Sequence, residues 1–519
     1  MSVTFGIYIG CSSCCIAVHK DGKSEVVANA AGDRVTPALV SFHDTEVVTG
    51  LSAKQGIIRH AGSTIQGVLR VAGVTEEEGC GHGGYEGTCT PNWEGRRAKY
   101  SVQRGEKTVT IFPEDVLTHI FTLLKDIASA HTSDKELPAV VTLPGWSSEG
   151  TVMAVKKAAN RAAFTIMGTI THPPAALLAY GLADDNKHNL NVVVVHCGGA
   201  TVSGAVLEVA GGLVTTRESI TTTTTAGDTI TQVLVQHFAK EFYGKYKGDP
   251  LENRRSRRKL YNASENCKHV LSTMNTAQVY VESLWEGVDF STTLSRARFD
   301  GLVVSTLANF LTPAKEAVQR CSLDLSQIDK VILTGGSAKI PRLQQMAADT
   351  FPQATVLRSL PPDEVLATGA AQESALLLSC PTRATTNTPV SPPSSTVPAL
   401  ATSVFCTILD VEDAECECVF SRGTPTHSRR TITLPLPAPS PPTCSIVVYE
   451  VLDSCPEQDT KNLPKEDAVL AQVDVTNLTT DSKQLRLDFH LKSDGSLHVI
   501  LQETEAKINR SFVIESDTS

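Results

Sequence analysis

His196, Cys197, Gly198, Gly199, Ala200 and Thr201 follow four consecutive valines, Val192 to Val195, and lead into Val202-Ser-Gly-Ala-Val206. Four β-branched residues read as a buried strand, Gly198-Gly199 as a tight turn, and the alternating residues after it as the return strand of a hairpin. A turn of this kind presents backbone N–H groups to a phosphate. About 185 residues earlier the chain has the same design: Phe5 to Gly10 is an apolar strand, Cys11-Ser12-Ser13 a small polar turn, and Cys14 to Val18 a returning strand. Two such hairpins suggest a duplicated fold that closes on one ligand. In ATPases built this way each hairpin also supplies carboxylates that hold Mg²⁺ and the attacking water. Here those places are taken by Tyr8, His196 and Ser203, so the expectation is a nucleotide cleft without its chemistry.

The elements that would position these turns alternate between strand and helix. Strands are expected at Ala38 to Phe42, Ala139 to Leu143, Val279 to Leu284 and Lys330 to Leu333. Helices are expected at Ser52 to His60, Pro113 to Ala130, Thr151 to Ala163, Pro174 to Leu182, Ile230 to Tyr243 and Pro313 to Gln319. This order indicates an α/β architecture. The strand at Lys330 runs into Thr334-Gly335-Gly336-Ser337, a third Gly turn after an apolar strand and a further phosphate or ribose contact. The basic run Arg254, Arg255, Arg257, Arg258, Lys259 reads as a solvated helix face, with an anionic partner or a nucleotide edge as the alternative. Residues 381–402 are rich in Thr, Pro and Ser and read as a linker. From residue 403 to 519, short alternating segments separated by turns read as a small β domain, with Ser493-Asp-Gly495 a hairpin turn.

Composition narrows the class. With 519 residues, two to four domains are expected, and 41% hydrophobic with 20% charged residues is ordinary for a globular protein. A net charge of −10 argues against direct binding of nucleic acid by the whole surface. No basic stretch followed by an apolar run opens the chain and no membrane-length apolar segment occurs, so a cytosolic protein is expected. The 14 cysteines form no regular framework and read as reduced, mostly buried thiols. Cys80, His82 and Cys89 in the Gly-rich loop 79–95 could form a zinc clip, although no fourth ligand is evident.

Asn29 to Pro37, Pro174 to Leu182, E-S-L-W-E-G-V-D-F at Glu282 to Phe290 with R-A-R-F at Arg296 to Phe299, and L-T-G-G-S-A-K-I-P-R-L-Q at Leu333 to Gln344 resemble the 70-kDa heat-shock protein family. Pro362-Asp-Glu364 followed by Gly369-Ala-Ala371 adds a fifth match, and order and spacing agree along nearly the whole chain. The resemblance implies a two-lobed, actin-like (ribonuclease-H-like) α/β ATPase fold over residues 1–380, with lobes near 1–185 and 186–380. It also implies a truncated form of the family's peptide-clamping β-sandwich at 403–519, without the helical lid.

Carried over residue by residue, the family Asp of the first hairpin is Tyr8, the phosphate-binding Lys is Leu69, and the water-positioning Glu is His172. The two Asp of the central hairpin are His196 and Ser203; its third Gly is Ala200 and its Thr is kept as Thr201. No catalytic position is therefore expected intact and no resident metal is expected. Gly10, Cys11, Ser12 and Ser13 with Gly198 and Gly199 remain as phosphate turns. Glu265, Lys268 and Ser272 match the helix beside the base and ribose, and Gly335, Gly336, Ser337 and Asp363 the opposite wall, where the family Arg is Lys339. ATP is the implied ligand, with Mg²⁺ in doubt. Arg70, beside Leu69, is a candidate replacement cation, and zinc between His172 and His196 is an alternative that lacks a third ligand. The divergent cleft and shortened C-terminus point to the heat-shock-type subunit of the ribosome-associated complex. That implies a zuotin-type J-domain partner, nascent polypeptide and ribosome reached through the complex, and a cooperating active 70-kDa chaperone. An active ATP-driven chaperone with a rearranged site is the rival reading, and a sugar-kinase-like enzyme on the same fold a third.

Overall fold

The computed structural model describes residues 3–75, 88–95, 97–132, 137–182, 189–210 and 213–379, and, toward the C-terminus, 400, 402–409, 416–420, 424, 428–437, 440–451, 469–476, 478–479, 482–492, 496–503 and 508–515. Two compact units result. One comprises most of the chain up to Arg383, and the other is built on the strands from Ser403 onward.

Both halves of the larger unit use one sheet plan. In the first, the strand order is Phe164–Thr171, Leu137–Leu143, Thr4–Ile9, Ser13–Lys20, Lys23–Val26. In the second it is Thr355–Leu357, Lys330–Thr334, Leu190–Cys197, Val202–Ala210, Leu213–Thr222. In each, a hairpin is extended on its first strand by two parallel neighbours. The duplication reaches the turns: Gly10 N–H donates to Ser13 O at 2.8 Å, and Gly198 N–H to Thr201 O at 3.0 Å. Each half also has its own core. Phe5, Ile7, Leu117, Phe121 and Phe164 are buried together in the first, and Val193, Val195, Phe238, Phe242, Phe290 and Phe310 in the second.

Helix boundaries move where local chemistry outweighs apolar periodicity. The helix expected from Pro174 begins at His172, because Pro173 and Pro174 fit its first turn, where no N–H is needed, and it ends at Ala179. The helix expected at Ser52 to His60 is Gly50–Gly56. The basic run is not simply a solvated face. Within helix Arg254–Thr273, Arg258 is buried and lies over the Tyr261 ring, Arg257 donates to Leu251 O, and Lys259 donates to Glu282 O and Ser283 O, each at 2.8 Å. Arg254 and Arg255 alone of the five remain exposed. Cys11, Cys14, Cys15, Cys89, Cys197, Cys267, Cys321 and Cys406 are free thiols. Two members of the suggested zinc clip, Cys80 and His82, lie outside the described residues, as does nearly all of the Thr/Pro/Ser-rich segment.

The closing helix Val365–Ser379 packs so near the first sheet and helix His172–Ala179 that only glycine fits at the contacts. A Cβ on Gly6 would lie 2.0 Å from Ala371 N, and one on Gly369 would lie 1.8 Å from Ala175 O. Gly369→Ala is expected to destabilise the larger unit by about 2 to 3 kcal/mol, since backbone must move to admit the methyl group. Gly301→Ala, in a helix where a Cβ meets nothing, should be neutral or slightly stabilising. Urea melts followed by tryptophan fluorescence compare the two. All three tryptophans of the chain, Trp93, Trp146 and Trp285, belong to this unit.

In the smaller unit, two four-stranded antiparallel sheets share one core. Their orders are Glu417–Phe420, Ser403–Leu409, Thr443–Val451, Val469–Thr476 and Arg429–Pro435, Gln484–Leu491, Leu497–Glu503, Ile508–Ile514. Cys406, Ile446 and Val448 from one sheet and Leu487, Phe489 and Val499 from the other are buried together. The intervening polar positions face outward, as period-2 alternation requires. The turn at 493–495 lies outside the described residues, but the strands on either side of it pair in register, Leu491 opposite Leu497.

Candidate functional site

The two hairpins and the helix that starts at His172 bring three of the positions expected to be replaced, Tyr8, His172 and His196, into one cluster. Tyr8 is the penultimate residue of the wholly buried strand Thr4–Ile9, His196 the penultimate residue of Leu190–Cys197, and His172 the first residue of helix His172–Ala179. Ring centroids lie 4.6 Å apart for His172 and His196, 5.7 Å for Tyr8 and His172, and 6.2 Å for Tyr8 and His196. All three are buried. Each hairpin ring folds back over the bare glycine two positions on, its same-face neighbour in a strand. A Cβ on Gly10 would lie 2.4 Å from the Tyr8 hydroxyl, and one on Gly198 3.0 Å from His196 Nε2. The opposing strand fixes the second ring, because Thr334 is the register partner of His196 and its Oγ1 lies 3.0 Å from Nδ1.

Burial sets the protonation of this cluster. It lowers His196 from 6.5 to about 4, and it lowers His172 well below its ordinary value, with His196 adding to the effect. The N-terminal end of its helix also disfavours an imidazolium at His172. Burial raises the Tyr8 phenol far above its normal range, helped by the neighbouring thiols of Cys11, Cys15 and Cys14 and by Asp363. The free protein therefore holds two neutral imidazoles and a neutral phenol at this point at neutral pH.

This donor set does not fit Mg²⁺, which takes hard oxygen ligands, usually carboxylates or waters that carboxylates hold. Among the described residues no group of three His, Cys, Asp or Glu side chains could hold a metal ion, so the His172–His196 pair has no third zinc ligand there either. Asp363 keeps one buried oxygen without a partner, while its other oxygen pairs with Lys339 at 2.6 Å. Ser203 is half-buried in its strand, and Leu69 is fully buried in the core of the first half. Burial raises both the Cys11 thiol and the Asp228 carboxyl, and Arg70, next to Leu69, partly offsets that effect on each, so its charge acts on the first turn and on the second half.

The fit to a phosphate chain is better. The N–H groups of Cys11, Ser12, Gly199 and Ala200 make no hydrogen bond to another described protein group, although those of Gly10 and Gly198 close their turns. Small residues pack the other turns against the central one. A Cβ on Gly335, at φ +88°, would strike Cys197 O at 2.5 Å, and one on Gly227 would lie 2.5 Å from Ser337 Oγ and 3.2 Å from Gly198 O. Gly336, by contrast, faces open space. Thr201 is buried in the central turn, and Ser12 O and Ser13 carry the pairing of the first turn to Ala38 and Pro37.

The residues expected on the adenosine side are assembled but engaged with one another. Lys268 Nζ donates to Gly227 O at 3.0 Å and Thr231 Oγ1 at 2.8 Å, and pairs with Glu265 at 2.7 Å. Glu265 also meets His269 Nε2 at 3.1 Å, and Ser272 Oγ donates back to Lys268 O at 2.9 Å. Sequence reasoning missed Gly227, Asp228 and Thr231. Gly227 and Asp228 N–H donate to the Gly198 and Gly199 carbonyls at 2.9 Å each, so helix Gly227–Tyr246 braces the central turn. A Gly-Asp pair opening a helix, Ala226-Gly-Asp-Thr229, was the available signal.

Comparison with known proteins agrees with this architecture. The family profile described as Hsp70 protein matches residues 4–398. Heat shock 70 kDa protein 14-B of Xenopus laevis is 34% identical over 99% of each chain. Heat shock 70 kDa protein 14 of Mus musculus is 36% identical over 98% of this chain and 99% of its own, and that of Homo sapiens 34% over the same shares. The actin-like ATPase fold follows for the larger unit. The chain belongs to the Hsp70 protein family.

Proposed function

We propose that the chain is an atypical chaperone of the ribosome-associated type, which holds ATP with weak or no hydrolysis and assists the folding of nascent polypeptides. Its partner on this reading is a zuotin-type J-domain protein, through which it reaches the ribosome, and an active 70-kDa chaperone supplies ATP-driven cycling. Residues 1–380 serve as the nucleotide-binding domain, 381–402 as the linker, and 403–519 as a truncated peptide-binding-like domain. The observation that carries this is the packed cluster of Tyr8, His172 and His196. Phosphoryl transfer to water depends on positioning and charge stabilisation, and one lost electrostatic group costs on the order of 10² to 10³ in rate.

The unpaired N–H groups of the two turns support binding without turnover, and the acidic net charge of −10 suits a chain whose partner carries the RNA-binding charge. No helix among the described residues is long and apolar enough to cross a membrane, and the cytosol is the proposed location. In a single-turnover experiment with labelled ATP and excess protein, bound nucleotide should remain intact over many minutes. Stoichiometric conversion to ADP would favour the rival reading of an active ATPase, in which Arg70 replaces the lost lysine. Co-purification with a J-domain protein tests the partner assignment, and its failure would count against it.

A further inference from the structure

The disagreement between the family's metal and this donor set has a consequence of its own. His172 is 3% exposed, and its Nε2 has no hydrogen-bond partner. An orphaned buried imidazole nitrogen is costly unless something else satisfies it. It lies in the same cluster as His196, whose ring rests over the glycine that opens the central turn. The N–H groups of Cys11, Ser12, Gly199 and Ala200 remain to donate to an anion, and the charge of Arg70 acts on Cys11 at the first turn. We propose that this cleft takes ATP as the metal-free anion, with a proton held by the His172–His196 pair where the family places Mg²⁺. The proposal rests on the nucleotide reading given above.

The surroundings of the pair suit this exchange. Tyr8 faces both rings from the first hairpin, and Thr334 faces His196 from the neighbouring strand. Cys11, Cys15, Cys14 and Asp363 act electrostatically on Tyr8, and Arg70 acts on Cys11. No carboxylate contributes to the proton affinity of either imidazole, and Asp363 is held by Lys339. The free pair is therefore neutral, and a phosphate chain arriving at the turns supplies the negative charge that raises its proton affinity. With centroids 4.6 Å apart, the pair can take up one added proton, whereas two would repel. The proton comes from solvent, no covalent bond changes, and the protonated ring donates N–H to a phosphate oxygen.

Titration calorimetry of the full chain with ATP provides the test, in EDTA and in Mg²⁺, at pH 7, in two buffers of different ionisation enthalpy. Affinity in EDTA is expected within about threefold of that in Mg²⁺. The buffer dependence of the heat should report uptake of close to one proton, and affinity in EDTA should rise by up to about tenfold per pH unit between pH 8 and 6. His172→Gln with His196→Asn should abolish the uptake and weaken binding in EDTA about tenfold, with folding checked by the tryptophan transition. ATP binding that disappears in EDTA would overturn the proposal while leaving the nucleotide reading standing. Binding in EDTA without proton uptake would overturn the role given to the histidine pair. Absence of binding under either condition would overturn the nucleotide reading and the proposal with it.

Discussion

Between pH 6.5 and pH 4 the larger unit is expected to lose on the order of 3 kcal/mol of stability through His196 alone. Burial lowers this imidazole from 6.5 to about 4 in the folded chain. The folded-state value is depressed, so the contribution is present in full above 6.5 and disappears as pH falls through about 4. Within that window the unfolded chain takes up a proton that the folded chain refuses. His172 acts in the same direction, since it too is held well below its ordinary value. Carboxylates titrate in part of the same range, so the measurement is a difference between proteins. Urea melts at pH 6.5, 5.5 and 4.5, followed by tryptophan fluorescence, should fall more steeply for the native sequence than for His196→Asn. Asparagine keeps a polar group opposite Thr334 Oγ1 but cannot titrate. Parallel curves would show that the imidazole is solvated and that the packed cluster is absent in solution.

The parts of the fold that could be read from sequence are those governed by local pattern. Four valines before Gly198-Gly199 dictate a buried strand and a turn, and Pro113 followed by two acids dictates a helix start, which the structure places at Pro113 itself. The expected site was read as a set of substitutions, because a missing carboxylate shows in the sequence. What replaced it did not show. Nothing in Tyr8 or His196 states that each ring folds over the glycine two positions on. That depends on a bare Cα in one strand and on Thr334, 138 residues away, in the next. Arg258 looked solvated because it sits in a run of charge, yet its guanidinium lies over Tyr261 one turn on. Long-range pairing decided these cases, and sequence pattern reports poorly on contacts between distant segments.

The same limit applies to the adenosine side, where family likeness assigns Glu265, Lys268 and Ser272 to a ligand while the structure has them holding the protein together. Burial alone would raise the Glu265 carboxyl, but Lys268 and His269 outweigh it and hold it well below the usual carboxylate range. Lys268 is the centre of this arrangement, since its ammonium satisfies Glu265, Thr231 Oγ1 and Gly227 O together. Through Gly227 the network reaches the central turn, whose carbonyls accept from the first N–H groups of that helix.

Lys268→Met is accordingly expected to cost about 3 kcal/mol at pH 7, the lower end of the range for breaking a buried ion pair, because a quarter of the Glu265 side chain is exposed. A depressed carboxyl loses its contribution only as pH falls below about 4.5, so the whole effect is present at neutral pH. The double variant Lys268→Met with Glu265→Leu should recover most of that loss, since no unpaired charge then remains. Urea melts of the four proteins close the cycle, and additive losses would show that the pair is not coupled in solution. ATP affinity separates bracing from ligand contact. If Lys268 acts by fixing Gly227 against the central turn, the double variant recovers stability while ATP binding stays weak, because the Gly227 carbonyl has lost the bond from the ammonium and keeps only that from Thr231 Oγ1. If affinity returns together with stability, the turn is positioned without this lysine, and the structural path from Glu265 to Gly198 carries no functional weight.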